Sequence, residues 1–207
     1  MIYFYWALAA VISYLLGCFN GSILVSKYVF QNDVRAHGSG NAGLTNFYRT
    51  FGGPWTFMVV LGDVVKVIIA IYLCRWIMAP FGEVSVMQVS YWSNAFVMLG
   101  HVFPAFFRFR GGKGVLSAGT AVVILDWRVA CLVMGLFLLG VLLTRFVSLG
   151  SILAGITFPL GVWLIAKADL FCIACAAFCA VLLLIMHRQN IVRLFKGEER
   201  KFQFSKK

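Results

Sequence analysis

Long apolar blocks separated by short polar, glycine-rich or basic segments dominate the chain. Five blocks, Phe4 to Ser26, Trp55 to Ala79, Val89 to Phe106, Val147 to Ala166 and Leu170 to Met186, are each long enough to cross about 30 Å of hydrocarbon. The stretch from Gly114 to Arg145 is too long for one crossing and is interrupted by Asp126, Trp127 and Arg128. It predicts a helical hairpin, a short helix from Val115 to Leu125 followed by one from Val129 to Leu143. The expected fold is therefore an all-α integral membrane protein of about seven transmembrane helices. With no tandem repeat and no low-complexity linker, residues 1–207 read as a single domain.

Composition agrees: 62% of the residues are hydrophobic and 12% charged, where soluble domains carry about a quarter charged. The first basic residue is Lys27, so no basic region precedes the first apolar block as it would in a cleavable signal peptide. Six cysteines fit no ligand or disulfide framework, and Cys172, Cys175 and Cys179 read as small packing residues at helical spacing.

A net charge of +11 suits nucleic acid, an acidic membrane surface or an anionic substrate, and the placement of the cations decides among them. Lys27, Arg35, Arg49, Arg108, Arg110, Lys113, Arg145 and the cations from Arg188 onward collect on one side of the predicted spans, while Arg75, Arg128 and Lys167 fall on the other. The positive-inside rule then puts the N-terminus outside and the C-terminus in the cytoplasm. Nucleic acid is not an expected partner; membrane lipids and anionic substrates are. Lys206 and Lys207 read as topology anchors.

Three segments on the basic side carry candidate chemistry. In "FRFRGGKGV" (107–115), Gly111, Gly112 and Gly114 let the backbone approach a ligand and adopt positive φ, and Lys113 adds a charge where a helix begins. The spacing is not that of a Walker A loop. In "HGSGNAGLTNFYR" (37–49), Gly38, Gly40 and Gly43 alternate with Ser39, Asn41, Thr45 and Asn46, and Arg49 closes the run. Small donors on a glycine-shaped backbone make a nest for oxyanions, and arginine suits phosphate. In "HRQNIVRLFKGEERK" (187–201), His187 and Asn190 lie three apart on one helical face, and Arg188, Arg193, Lys196 and Lys201 suit lipid headgroups or substrate. The plainer alternatives are a loop-to-helix junction obeying the positive-inside rule, an Asn/Gly turn and a topology anchor. Outside these segments, His101 is expected to bond a backbone carbonyl freed by Pro104, and Asp63 with Lys66 to form a structural ion pair inside the second span.

Together "HGSGNAGLTNFYR", "GHVFPAFFRFRGGKGV" and "HRQNIVRLFKGEERK" resemble the three signature segments of the bacterial acyl-phosphate-dependent glycerol-3-phosphate acyltransferase family. The resemblance extends to "SYLLGCFNGSILVSK", "GDVVK" and "TRFVSLGSI", covering most of the chain in order. It departs at Cys18 and Asn20, where members usually have serine and proline, at Leu44, Val67, Leu116 and Glu198; Leu44 and Leu116 flank the expected site, and most of the others read as packing positions.

The resemblance implies acyl transfer from a long-chain acyl phosphate to the 1-hydroxyl of sn-glycerol 3-phosphate, without metal or other cofactor, at the cytoplasmic face of the bacterial inner membrane. It implies His187, Asn190, Ser39 and Lys113 as catalytic residues. Gly38, Gly40, Asn41, Gly43, Thr45, Asn46, Arg49, Gly111, Gly112, Gly114, Arg188 and Glu199 are implied for substrate binding, with Glu199 also pairing with a cation of the loops. A soluble partner that makes acyl phosphate would fit the basic mouth. A His-x-x-x-x-Asp dyad is absent after His37, His101 and His187, and no serine has a His/Asp pair to make it an acyl-enzyme nucleophile. A small-anion transporter would instead line a path across the membrane with polar residues and an internal repeat. A non-catalytic scaffold would need no such nest.

Overall fold

The computed structural model describes residues 1–202, and these are helical and irregular with no strand; Lys206 and Lys207 lie outside the described residues. Ten α-helices follow in order: α1 (Ile2–Gly17), α2 (Gly21–Tyr28), α3 (Leu44–Thr50), α4 (Trp55–Met78), α5 (Val86–Val102), α6 (Val115–Leu125), α7 (Trp127–Thr144), α8 (Val147–Leu164), α9 (Leu170–Met186) and α10 (Arg188–Phe195). Single 3₁₀ turns occupy Val34–Ala36 and Ala105–Phe107. Three helices, α4, α7 and α8, are long and apolar enough to cross a membrane, and five spans result if the bent pairs α1–α2 and α9–α10 each count as one.

The two helices predicted between Gly114 and Arg145 are present: α6 spans Val115–Leu125 as expected, and α7 starts two residues earlier than expected, at Trp127, because Asp126 caps it by accepting from the amides of Arg128 and Val129. Two predicted spans are not continuous helices. Phe4 to Ser26 breaks between α1 and α2 with a bend of 41°, because Asn20 leaves helical geometry and caps α2 by accepting from Ile23 N. Val89 to Phe106 ends as helix at Val102, where extended backbone at Pro104 gives way to a 3₁₀ turn.

The chain forms two compact units, Met1–Leu125 and the remainder from Asp126. In the first, α1 packs on α4 and α5, and α4 also meets α2, α5 and α6. Small residues let these helices approach closely. A Cβ at Gly17 would fall on the Val97 carbonyl, one at Gly100 on the Tyr14 carbonyl, and one at Gly21 within 2.7 Å of the Val59 carbonyl oxygen. Ser13 bonds Ser93 across the same layer at 2.8 Å. Beneath the first loop, Ile23, Val34, Ala42, Phe47 and Val59 form an apolar cluster on which Leu44 packs.

In the second unit, α7, α8 and α9 pack in sequence order. Gly150 faces the Phe137 carbonyl, Gly155 receives Leu183 and Gly161 receives Val129. Asp169 caps α9 by accepting from Cys172 N, and Cys172, Cys175 and Cys179 are buried packing residues, as their spacing implied.

Gly100→Ala should force the α1–α5 contact apart and lower stability by about 1–3 kcal/mol. Gly119→Ala, where a Cβ meets nothing within 4 Å, should be neutral or stabilising. Thermal unfolding in detergent tests both, and a Gly100→Ala protein as stable as its parent would mean that the close approach is not made.

Candidate active site

In the first unit, two of the three singled-out segments meet. Ala42 N donates to Gly111 O at 3.4 Å, and Asn20 Nδ2 donates to Ala42 O at 3.0 Å. Gly111 N and Gly112 N donate to the carbonyls of Val102 and His101, both at 3.1 Å, folding the second segment back along the end of α5. A Cβ at Gly111 would strike His101 O, and one at Gly112 would strike the His101 ring and lie 2.8 Å from Ala42 O. Gly111 and Gly112 are therefore needed for close backbone approach. The expectation of positive φ holds only for Gly114, at +80°, where the chain turns into α6.

The first loop is organised from within. Asn46, buried at the start of α3, places Nδ2 within 3.0–3.1 Å of the carbonyls of Val34, His37 and Asn41, and its Oδ1 accepts from Ser39 N at 3.0 Å. Asn46 was expected to donate to substrate; its amide is spent on the loop, so it holds the loop's shape. Gly38 and Gly40 have φ of +59° and +69°, and a Cβ at Gly38 would strike Asn46 Oδ1. Ser39 and Gly40 are exposed, Asn41 and Gly43 precede α3 half-buried, and Thr45 and Arg49 lie one turn apart on α3. Lys113 is half-buried between Gly112 and Gly114. The junction thus collects backbone, amide, hydroxyl and cationic donors, the chemistry that receives an oxyanion.

Arg35 ties the two loops together. Its guanidinium grips Asp33 with Nε at 3.0 Å from Oδ1 and Nη2 at 2.7 Å from Oδ2, while Nη1 donates to the carbonyls of Phe107 at 2.8 Å and Arg110 at 3.0 Å. These guanidinium bonds hold the Asp33 carboxyl down at about 2. Arg35 was counted only among the topology cations. The Asp-x-Arg spacing is the one local sign of its grip, and its reach to residues 107 and 110 has no local sign.

The third segment sits in the second unit, at a 58° bend between α9 and α10. His187 occupies the bend, buried, and donates Nδ1–H to Leu183 O at 2.9 Å, which leaves the lone pair of a neutral ring on Nε2. His187 and Asn190 therefore do not share one continuous helix face: the first ends α9 and the second belongs to α10. Asn190 Nδ2 and Ser148 Oγ both donate to Glu199 Oε1 at 2.7 Å, and Arg193 Nε donates to Oε2 at 2.7 Å. Glu199 thus pairs with a cation of α10 in place of a loop cation, and it holds Asn190 and α8 in register. Arg188, expected on substrate, is exposed and donates to Ile185 O at 3.1 Å, closing the C-terminal turn of α9. Ser148 lies in the "TRFVSLGSI" stretch and was not singled out for chemistry.

Burial opposes the charge on Glu199, but the hydrogen bonds from Asn190, Ser148 and Arg193 outweigh it and hold the carboxyl below its ordinary value of 4.5. The stability it adds is therefore present above about pH 4.5 and is lost as the pH falls through the lower folded value. Glu199→Gln should unfold at a lower temperature at pH 7, with the gap to the parent protein narrowing below pH 4.5. A gap that stayed constant down to pH 3 would show that no charged carboxylate acts here.

Comparison with known proteins bears on both units. The sequence profile of the family described as "Glycerol-3-phosphate acyltransferase" matches residues 7–197. A glycerol-3-phosphate acyltransferase of Staphylococcus saprophyticus is 39% identical, covering 94% of this chain and 96% of the relative. One of Photorhabdus laumondii is 34% identical, covering 91% and 83%. The crystal structure of PlsY (YgiH), an integral membrane glycerol 3-phosphate acyltransferase, in its glycerol 3-phosphate form superimposes with a TM-score of 0.84 at 32% identity, covering 96% of each chain. Its lysophosphatidic acid form gives 0.81 at 31% identity, covering 96% of this chain and 95% of that one. With a matching profile through most of its length and relatives above 30% identity across nearly all of it, the chain belongs to the glycerol-3-phosphate acyltransferase family.

Proposed function

We propose that the chain transfers a long-chain acyl group from acyl phosphate to the 1-hydroxyl of sn-glycerol 3-phosphate, releasing inorganic phosphate and 1-acyl-glycerol 3-phosphate, the first acylation of bacterial phospholipid synthesis. The observation that carries the reading is the joining of the two glycine segments through Ala42 and Gly111, which gathers Lys113 and the 38–43 backbone into one donor-rich junction. Both proposed substrates carry a phosphate. The crystallised relative is described in glycerol 3-phosphate and lysophosphatidic acid forms, the corresponding acceptor and product.

In this reading about seven apolar helical segments are embedded in the cytoplasmic membrane with the N-terminus outside and the C-terminus inside, the loops of the site open to the cytoplasm, and the two units act as one catalytic domain. The family profile running through both units supports the last point. The acyl carbon of an acyl phosphate is already activated, so direct attack needs positioning and charge stabilisation and no enzyme nucleophile. The bond from the glycerol oxygen to the acyl carbon forms, the bond from that carbon to the phosphate oxygen breaks, and phosphate departs with the electron pair. Lys113, Arg49 and the glycine backbones hold phosphate oxygens, and Ser39, Asn41 and Thr45 add donors. Asn190, its rotation fixed by Glu199, polarises the carbonyl. His187 orients the hydroxyl, and its Nε2 lone pair and the departing phosphate are the two acceptors for the proton.

The purified protein, given labelled glycerol 3-phosphate, should form lysophosphatidate from palmitoyl phosphate and none from palmitoyl-CoA, with the rate unchanged by EDTA. Lys113→Ala should lose about 100-fold or more in turnover while unfolding at the parent temperature. Product from palmitoyl-CoA would overturn the donor assignment; near-parental activity in Lys113→Ala would overturn the phosphate role; no product from either donor would turn attention to phosphate-ester transport in proteoliposomes.

A further inference from the structure

His101, at the last turn of α5, has 3% of its surface exposed and faces in two directions. On one side its Nδ1 lies 2.8 Å from Lys66 Nζ. Lys66, 4% exposed, is also 2.7 Å from Asp63 Oδ1 and 2.9 Å from the Phe19 carbonyl oxygen. An ammonium has three hydrogens, and three acceptors surround this one. The hydrogen aimed at His101 requires a lone pair on Nδ1, so the hydrogen of the neutral imidazole sits on Nε2. Ser117 Oγ at 3.4 Å and Asp63 Oδ1 at 3.7 Å are more distant neighbours of Nδ1.

On its other side the ring meets the glycine junction. A Cβ at Gly112 would fall on Nε2, with Cδ2 at 3.1 Å, so any larger residue at 112 would cover that edge of the imidazole. Among the described residues none accepts the Nε2 hydrogen, whereas Nδ1 is committed to Lys66. A donor that is nearly buried, fixed in one tautomer and lodged between Ala42 and the residue before Lys113 is suited to a ligand oxygen in the junction.

We propose that His101 is a further substrate-contacting residue, donating its Nε2 hydrogen to a phosphate oxygen held where Ala42 meets Gly111–Lys113. Lys66 and Asp63 are its positioning residues, and the glycine at 112 keeps the donor uncovered. The proposal rests on the phosphate reading of the junction given above. The ligand chemistry is a phosphate monoester or acyl phosphate oxygen, and the two substrates are its two sources.

Two substitutions separate this role from a structural one. The carboxamide of asparagine can occupy the place of Nδ1 and keep the Lys66 contact; that of glutamine reaches the place of Nε2 and keeps the donor. His101→Gln should retain a KM for the phosphate substrates within a few-fold of the parent. His101→Asn should raise KM about 10- to 100-fold at an unchanged unfolding temperature. Separate titrations of glycerol 3-phosphate and palmitoyl phosphate assign the source, by which KM rises. The reverse ordering, asparagine near parental and glutamine impaired, would overturn the proposal.

Should both variants fail to fold, the parent protein with ¹⁵N-labelled histidine decides. The His101 Nε2–H resonance should shift when glycerol 3-phosphate or a non-hydrolysable palmitoyl phosphonate is added, and indifference to both would overturn the proposal. The resonance is read without turnover, so a parent protein inactive with both acyl donors would sink the acyltransferase reading while this test still stands.

Discussion

The charge of Lys66 has to be held in an apolar interior, and much of the first unit is arranged around that requirement. Removing one partner of a buried ion pair costs about 3–5 kcal/mol, so such a charge persists only where every hydrogen finds an acceptor. Asp63 supplies one acceptor from α4, the broken helix supplies the Phe19 carbonyl, and α5 supplies His101. The same carboxylate accepts from Gly21 N at 3.2 Å at the start of α2. A side chain on α4 thereby fixes the bend between α1 and α2, the end of α5 and, through His101, the floor of the glycine junction. The ion pair expected from the sequence is present, but its function is broader than pairing. It satisfies a backbone carbonyl that the bend would otherwise leave without a donor.

From that floor the loops are built by close approach rather than by many side-chain contacts. Gly111 and Gly112 lie against His101 and Ala42 with no room for a Cβ, and the Ala42 carbonyl is held in turn by Asn20. Arg35 adds a second fastening by taking the carbonyls of Phe107 and Arg110. Asn46 satisfies the carbonyls of Val34, His37 and Asn41, so the first loop keeps its shape from within. Loops fixed in this way enter binding with little ordering entropy still to lose, which is what a site working by position and charge requires.

Most helices were legible because hydrocarbon thickness imposes a length that a block of apolar residues displays directly, and α9 begins and ends where the pattern put it; the shorter α6 was legible from the interruptions at Gly114 and Asp126 that bound it. The breaks within predicted spans were not. Asn20 looked like a packing departure, and only the structure gives it two partners, its own cap at Ile23 and the distant Ala42. The candidate site was legible as a set of residue types and less so as a set of roles. Nothing local distinguishes a glycine used for positive φ, such as Gly114, from one used for contact, such as Gly112, since contact depends on His101 and Ala42, remote in sequence. In the same way Asn46 and Arg188 carry side chains suited to phosphate, and backbone carbonyls claim them first. His101 was expected to serve a carbonyl near Pro104, whereas its ring nitrogen meets a lysine from another helix.

Each unit contains a helix bend backed by a charged group that several elements share. At the 41° bend the group is the Asp63–Lys66 pair; at the 58° bend it is Glu199, gathering Asn190, Ser148 and Arg193. A bend takes carbonyls and amides out of the helical ladder, and in apolar surroundings these must be satisfied by side chains. Residues recruited for that purpose are already polar, already desolvated and already rigid. The same properties strengthen a hydrogen bond to a substrate, because a desolvated donor of fixed direction has no water to give up and no rotamer to lose. The coincidence of bends with candidate site residues, His101 beside one and His187 within the other, follows from that shared physics. A membrane enzyme gains polar groups at its surface by breaking helices, and the groups that repair each break are those best placed for chemistry.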